Sequence, residues 1–288
     1  MRILLTGSDG QLGYELKRSL PDHHILIAVD REDLDITSRA QVLEFFEEEC
    51  PHLVINAAAY TAVDKAEEEP ELAWEVNEKG AENLALACKH DDIRMVQIST
   101  DFVFSGKNHR PYSHEDEAKS ASVYGLSKHA GDIAVLKTLG DKGLVVRTSW
   151  LYSAHGNNFV KTMLSLMGKL DSLGIISDQI GTPTWAATLA GSIWKLIDVE
   201  AEGVYHCADN GVASWYDFAV AIQEEALAFG LLDNTKIAQI KAITTEDYPT
   251  PAARPAYSVM DKTRTEKELN ITLPHWRVSL RKMLKELN

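Results

Sequence analysis

The sequence predicts an α/β fold: a doubly wound, Rossmann-like parallel sheet followed by a smaller C-terminal lobe. Three observations predict it. Through the first half of the chain, short apolar runs alternate with segments of helical spacing. The runs are continuous rather than alternating, as strands buried on both faces require. The first run also breaks at once into a glycine-rich turn that opens a helix.

Taken in order, "RILLTG" reads as the first strand, and "QLGYELKRSL" as a helix with Leu12, Leu16 and Leu20 on one face. "HILIAVD" is the second strand. "SRAQVLEFFEEE" is the next helix, with Thr37 or Ser38 as its N-cap. "LVINAAA" is the third strand, "PELAWEVNEKGAENLALACKH" one long helix, and "RMVQIST" the fourth strand. "SVYGLSKHAGDIAVLKTL" is helical and "GLVVRTSWLY" is a fifth run. Beyond this the alternation becomes irregular. "NFVKTMLSLM", "TPTWAATLAGSIWKLI" and "SWYDFAVAIQEEALAFG" read as helices, and "TTEDYPTPAARP" as a proline-rich loop. The expected division is residues 1–150 as a dinucleotide-binding domain and 151–288 mainly as a substrate-binding lobe, with segments near 183–208 rejoining the first domain.

Composition narrows the function. The 288 residues are 45% hydrophobic and 25% charged, ordinary for a globular protein. A net charge of −14 argues against nucleic acid or an anionic membrane surface as partner. The three cysteines, Cys50, Cys88 and Cys207, are widely spaced and form no metal or disulfide pattern, which suits a reducing cytoplasm. No apolar run is long enough for a transmembrane helix, and "MRILLTGSDG" does not read as a signal peptide.

"TGSDGQLG" places Gly7, Gly10 and Gly13 between the first strand and the first helix. Glycines there permit a tight turn, backbone approach to a pyrophosphate and close helix–strand packing, while free N–H groups at the helix start face the anion. The second strand ends in Asp30, placed to accept hydrogen bonds from the hydroxyls of an adenosine ribose. Arg31 follows it, and a guanidinium suits a 2′-phosphate that the carboxylate would repel. The residues therefore leave NADH and NADPH both open.

Tyr124 and Lys128 stand four apart in "VYGLSKHAG", on one face of a helix. Composition alone gives about 0.6 such pairs by chance, so the pair reads either as an exposed ion-forming pair or as an acid with its tuner. In the second reading Tyr124 supplies the proton that a hydride donor lacks. A nearby, partly desolvated ammonium would then bring the phenol below its usual pKa near 10. "QISTDFVFSG" puts Ser99, Thr100 and Asp101 at the carboxyl edge of the sheet, where open α/β proteins bind ligands.

With "NAAAYT", "STDFVFSG", Y-x-x-x-K and "RTSW" in this order, the chain resembles the extended short-chain dehydrogenase/reductases. "NAAAYTAVDKAEEEPE", "GNNFVKTML", "DQIGTPT" and "YPTPAARP" narrow the resemblance to the sugar-nucleotide reductases among them. The resemblance implies that Gly7, Gly10, Gln11 and Leu12 line the cofactor pyrophosphate. It places Asp30 and Arg31 at the adenosine ribose, Asp35 and Ile36 by the adenine, and Ala57, Ala58 and Tyr60 along the middle of the cofactor. It makes Thr100, Tyr124 and Lys128 the catalytic set, with Lys128 also holding the nicotinamide ribose. Thr100, Asp101, Tyr124 and Trp150 would touch the sugar, and Asn158 and Arg254 the nucleotide diphosphate.

The implied reaction is NAD(P)H-dependent reduction of the 4-keto group of dTDP-4-dehydro-β-L-rhamnose to dTDP-β-L-rhamnose. It would serve nucleotide-sugar biosynthesis for surface polysaccharide, with the enzyme a cytoplasmic monomer or homodimer. Two other functions fit the same resemblance: a sugar-nucleotide epimerase or dehydratase, and a non-catalytic NADP-binding regulatory subunit. Phe102, where a dehydratase needs a second carboxylate, argues against the dehydratase.

Some members of the superfamily hold Mg²⁺ between subunits through glutamates. Glu15 and Glu286 match two such positions, while Ala187 stands at the third. A Mg²⁺ site needs several oxygen ligands, so no tightly bound metal is expected. Glu15 then reads equally as a remnant of such a site or as a solvated helix residue, and the acidic run from Glu67 to Glu71 as a solvated helix entry.

Overall fold

The computed structural model describes all 288 residues. Six parallel strands form the central sheet: β1 (Arg2–Thr6), β2 (Ile25–Val29), β3 (Leu53–Asn56), β4 (Arg94–Thr100), β5 (Gly143–Thr148) and, much later in the chain, β10 (Gly203–His206). Their spatial order is β10-β5-β4-β3-β1-β2. The chain runs from β1 outward to β2, then crosses back over β1 to β3. The connections therefore diverge between β1 and β3, and a crevice opens there at the carboxyl ends of the strands.

Alternate residues of each strand feed two cores. Ile3 and Leu5 of β1 face α1 (Gln11–Arg18) and α8 (Ala186–Asp198), in a cluster with Leu12, Leu16, Leu189 and Ile193. Leu4 faces the other way, toward α2 (Arg39–Glu49), α5 (Ala81–His90) and α6 (Val123–Leu139), in a cluster with Phe46, Leu84 and Val135. Burial on both faces explains why these strands read as unbroken apolar runs.

Between β5 and β10 the chain passes through the C-terminal lobe. β6 (Leu151–Tyr152), α7 (Phe159–Met167), β7 (Ser172–Ile176), β8 (Ile180–Gly181) and β9 (Thr184–Trp185) precede α8 and β10. After them come β11 (Ala213–Ser214), α9 (Trp215–Ala228), β12 (Gln239–Ile243), α10 (Thr263–Leu269) and α11 (Trp276–Lys285). Tyr152, Val160, Met163, Phe218, Ile222, Trp276 and Leu280 form this lobe's own core. α8 and β10, although they follow α7 in sequence, pack with the first sheet.

Several elements differ from the sequence reading. The expected helix over 70–90 contains a π-helical turn, Glu75–Gly80, between α4 (Pro70–Trp74) and α5. The buried side chain of Asn77 in this turn bonds the Tyr60 backbone at both N and O, and also the Ser127 hydroxyl. The fifth run breaks after Thr148, because Trp150 adopts a left-handed φ of 45° that no extended strand accommodates. A short helix α3 (Val63–Ala66) lies in the "AVDKAE" segment. β7 and β12 pair only with each other, 67 residues apart at Ser172 and Gln239, so neither has a local signal.

Candidate functional site

At the carboxyl edge of the sheet a cleft of about 860 Å³ runs from the first glycine turn to the C-terminal lobe. At one end stand the glycines. Gly7 sits at φ +68°, and a Cβ there would lie 2.6 Å from the Ala58 nitrogen, while a Cβ on Gly13 would lie 2.5 Å from the Gly7 carbonyl oxygen. Those two must therefore be glycine for the turn to close against β3 and α1. Gly10 is less constrained by protein atoms, its nearest neighbour being Gly7 O at 3.4 Å. It serves as the N-cap of α1 without any side-chain hydrogen bond, which leaves the first N–H groups of the helix free for an anion.

Asp30 anchors this turn. Its Oδ2 accepts from Asp9 N at 3.0 Å and its Oδ1 from Arg31 N at 2.8 Å. Asp35 accepts from the backbone and hydroxyl of Thr37, and Ile36 packs over Gly80. Ala57, Ala58 and Tyr60 line the middle of the cleft. Tyr60 donates its hydroxyl to Glu69 at 2.9 Å.

At the far end α6 presents Tyr124 and Lys128. Two partners fix the start of this helix: Ser122 Oγ accepts from Gly125 N, and Glu67 Oε1 accepts from Val123 N at 2.8 Å. Glu67 is thus a cap brought from α3, and Glu69 the partner of Tyr60 and Lys65, rather than members of a solvated run. Gly125 lies against the Phe102 carbonyl, too near for any Cβ, and this contact sets Tyr124 beside Thr100.

Burial governs the charges here. It pushes Tyr124 up to about 12, against the Thr100 hydrogen bond that favours the phenolate. It pushes Lys128 down to about 8. The lysine Nζ donates to the Ile98 carbonyl at 2.6 Å, so its charge is directed at the β4 backbone. The expected lowering of the phenol by its neighbour is therefore absent from this state of the protein, because desolvation acts against both charged forms at once. Asp101, 2% exposed, is raised by burial to about 6, and its Oδ2 has no partner.

All eighteen residues given catalytic, cofactor or substrate roles from the sequence lie along this one cleft. Some carry contacts that the sequence did not suggest. Asn158 caps α7 through its Oδ1 and gives its Nδ2 to Gln11 Oε1 and Ser153 O, so its amide joins the two lobes. Arg254 is paired with Asp64 at 2.6 Å. Trp150 stacks on Trp215 with ring centroids 3.6 Å apart. Trp215, Gln179 and Asn157 also line the cleft and were not found from the sequence. The S-x-x-D capping box beginning at Ser214 marks the start of α9, but nothing local aims Trp215 at a site 65 residues back along the chain.

Glu15 corrects another expectation. It is 1% exposed, accepts from Ser153 Oγ at 3.0 Å and pairs with Arg18, which also pairs with Glu286. The guanidinium supplies the cation between the two glutamates.

The RmlD substrate binding domain model matches residues 1–288. The chain belongs to the RmlD family. Its relatives include a dTDP-4-dehydrorhamnose reductase of Aggregatibacter actinomycetemcomitans, 40% identical over 97% of each chain. A crystal structure of a dTDP-4-dehydrorhamnose reductase from Clostridium acetobutylicum is 41% identical with a TM-score of 0.93, covering 100% of this chain and 99% of that one. One from Bacillus anthracis in complex with NADP is 37% identical with a TM-score of 0.93, covering 99% of each chain. Those two solved structures share this chain's fold over nearly its whole length. No helix of this family member is long and apolar enough to cross a membrane.

Proposed function

We propose that this chain is a nicotinamide-dependent reductase that converts dTDP-4-dehydro-β-L-rhamnose to dTDP-β-L-rhamnose, with NADPH or NADH as reductant. The observation that carries the reading is the convergence of Thr100, Tyr124 and Lys128 at one end of a cleft whose other end is an uncapped helix N-terminus behind Gly7 and Gly10. The relatives' reductase activity, at 37–40% identity over nearly the whole chain, supports the same assignment.

The chain's own residues fit a dinucleotide. The glycine turn leaves room where a Cβ would intrude, and the free N–H groups of Gln11 and Leu12 suit a pyrophosphate. Asp30 suits a ribose hydroxyl. The Arg31 side chain, exposed and making no ion pair, suits a 2′-phosphate. Asp35, Ile36, Ala57, Ala58 and Tyr60 flank the remainder. Residues 1–150, joined by α8 and β10, hold the cofactor, and the lobe beyond holds the sugar nucleotide.

A dihydronicotinamide held in the cleft would supply the hydride for C4. Tyr124 donates the proton to O4. Its high pKa keeps it protonated until the carbonyl oxygen gains charge. Thr100 orients that oxygen, and Lys128 holds the nicotinamide ribose and offsets the phenolate left behind. Asp101, with a free Oδ2, accepts a sugar hydroxyl, and the Trp150–Trp215 stack forms an apolar wall against the sugar or base. Arg254 and Asn158 meet the diphosphate.

Mixing the protein with NADPH or NADH and a panel of 4-keto-6-deoxy sugar nucleotides tests this. The expected result is stoichiometric loss of dihydronicotinamide absorbance with the dTDP-linked ketone, and dTDP-rhamnose as product. Absence of turnover with every ketone, by protein that binds the cofactor, would reject it.

A further inference from the structure

We propose that Asp132 is a positioning residue of the reduction: its carboxylate, anchored by Ser99 and Arg147, is the counter-charge that keeps the buried Lys128 ammonium charged. This rests on the reading of Lys128 given above.

Tyr124, Lys128 and Asp132 follow one another at intervals of four on α6, so they share its sheet-facing side. Lys128 and Asp132 are 2% and 1% exposed. They reach consecutive residues of β4: the lysine donates to the Ile98 carbonyl at 2.6 Å, and Asp132 Oδ2 accepts from Ser99 Oγ at 2.8 Å. Arg147, opposite Ser99 on β5, closes on the same oxygen with its Nε at 3.4 Å. Asp132 Oδ1 is buried and has no partner. Hydrogen bonds therefore engage only one of its two oxygens, and the cations that gain from its charge are Arg147 and Lys128.

The signs alternate from β5 toward the cleft: guanidinium, carboxylate, ammonium, and the phenol that becomes anionic when it gives up its proton. Burial lowers Lys128, and Asp132 is the one charge that opposes this. Burial raises Asp132, and Arg147 leads the groups that oppose that in turn. The other titratable groups around Lys128 are few. On α6 there is His129, whose pKa is lowered by burial. On the turn after β4 there is Asp101. On β10, His206 is pushed down to about 3 by burial and stays uncharged. Glu67 is committed to the backbone of Val123, and Glu75, Glu78 and Lys79 of the π-helical turn are exposed or half-exposed. At the far end of α6, Lys142 is paired with Asp92. No other carboxylate replaces Asp132.

The experiment compares wild type with Asp132→Asn, which keeps the shape and the bond to Ser99 but removes the charge. In kcat/KM for the sugar nucleotide, the alkaline limb set by loss of the lysine proton is expected to move down by about one pH unit, a tenfold loss at a fixed pH above it. Asp132→Glu is expected to restore most of the limb. Ser99→Ala, which loosens the carboxylate without removing it, is expected to move the limb the same way by less, and carries the test should Asp132→Asn fail to fold. In parallel, NMR titration of ¹³C-lysine-labelled protein follows Lys128 without turnover. A limb and a lysine titration that stay in place in folded variants, with only the melting temperature reduced, would overturn the proposal. Wild type that reduces no ketone would reject the function instead, and the lysine titration would still decide the role of Asp132.

Discussion

At the scale of single residues, the proposed reduction depends on a phenol that the fold makes a weak acid. Burial raises Tyr124 to about 12, so it retains its proton throughout the neutral range, as the proposed transfer to an oxygen gaining charge requires. Replacing it with phenylalanine removes one hydroxyl and little volume. Tyr124→Phe is therefore expected to lower kcat by about 10²-fold or more while leaving the dissociation constant of NADPH within a few-fold, as read by fluorescence titration and steady-state kinetics. Unchanged turnover would exclude proton donation by this residue. Lys128 and Tyr124 were legible in the sequence as a spaced pair. What the sequence did not contain is the depth at which they lie, since burial depends on β4, β5 and the turn at Phe102 as well as on α6.

Among elements, the glycine turn and α6 behave as preformed parts. Gly13 lets α1 approach the Gly7 carbonyl, where a Cβ would stand 2.5 Å away from backbone that cannot move aside. Gly13→Ala is expected to weaken NADPH binding by at least about tenfold and to lower the melting temperature, because the helix must retreat from the strand. The same substitution at Gly140, which has nothing within 4 Å but a φ of +57°, is the control for backbone strain without a clash. The π-helical turn at Glu75–Gly80 is an element-scale surprise. Asn77 reaches both the Tyr60 backbone and Ser127 of α6 from this bulge, so one side chain braces the cleft's middle against α6. A helical repeat in the sequence carries no trace of such a bulge.

In the whole molecule, the two lobes meet across the cleft through a few polar ties. Arg254 of the proline-rich loop pairs with Asp64 of α3 at 2.6 Å, and Asp64 also accepts from Ala252 N at 3.3 Å. Asp64→Ala is expected to raise KM for the sugar nucleotide by about three- to tenfold with little change in NADPH affinity, since Arg254, proposed above to meet the diphosphate, loses the carboxylate that holds its guanidinium in place. An equal loss in cofactor affinity would count against that placement. Stability has its own pH signature. His206 is buried and its pKa is lowered to about 3 by burial and by Arg147. The unfolded chain binds a proton there near 6.5 and the folded chain does not. Its contribution to stability is therefore full above 6.5 and is lost progressively as pH falls toward 3. Melting curves of wild type and His206→Gln should diverge over that window, with wild type falling more steeply. Parallel curves would show that the ring takes up its proton alike in the folded and unfolded chains.

The sequence by itself determined the doubly wound sheet, the glycine turn, the succession of the first five strands along the chain and most of the residues that line the cleft. These follow from local patterns: apolar runs, helical spacing, and glycine where no side chain fits. Only the tertiary structure decided the pairing of β7 with β12, the Trp150–Trp215 stack, and the burial of Glu15 beneath Arg18 and Ser153. Each of these joins residues far apart in the chain. Their contact energies exist only once both partners are brought together, so neither segment carries the signal alone.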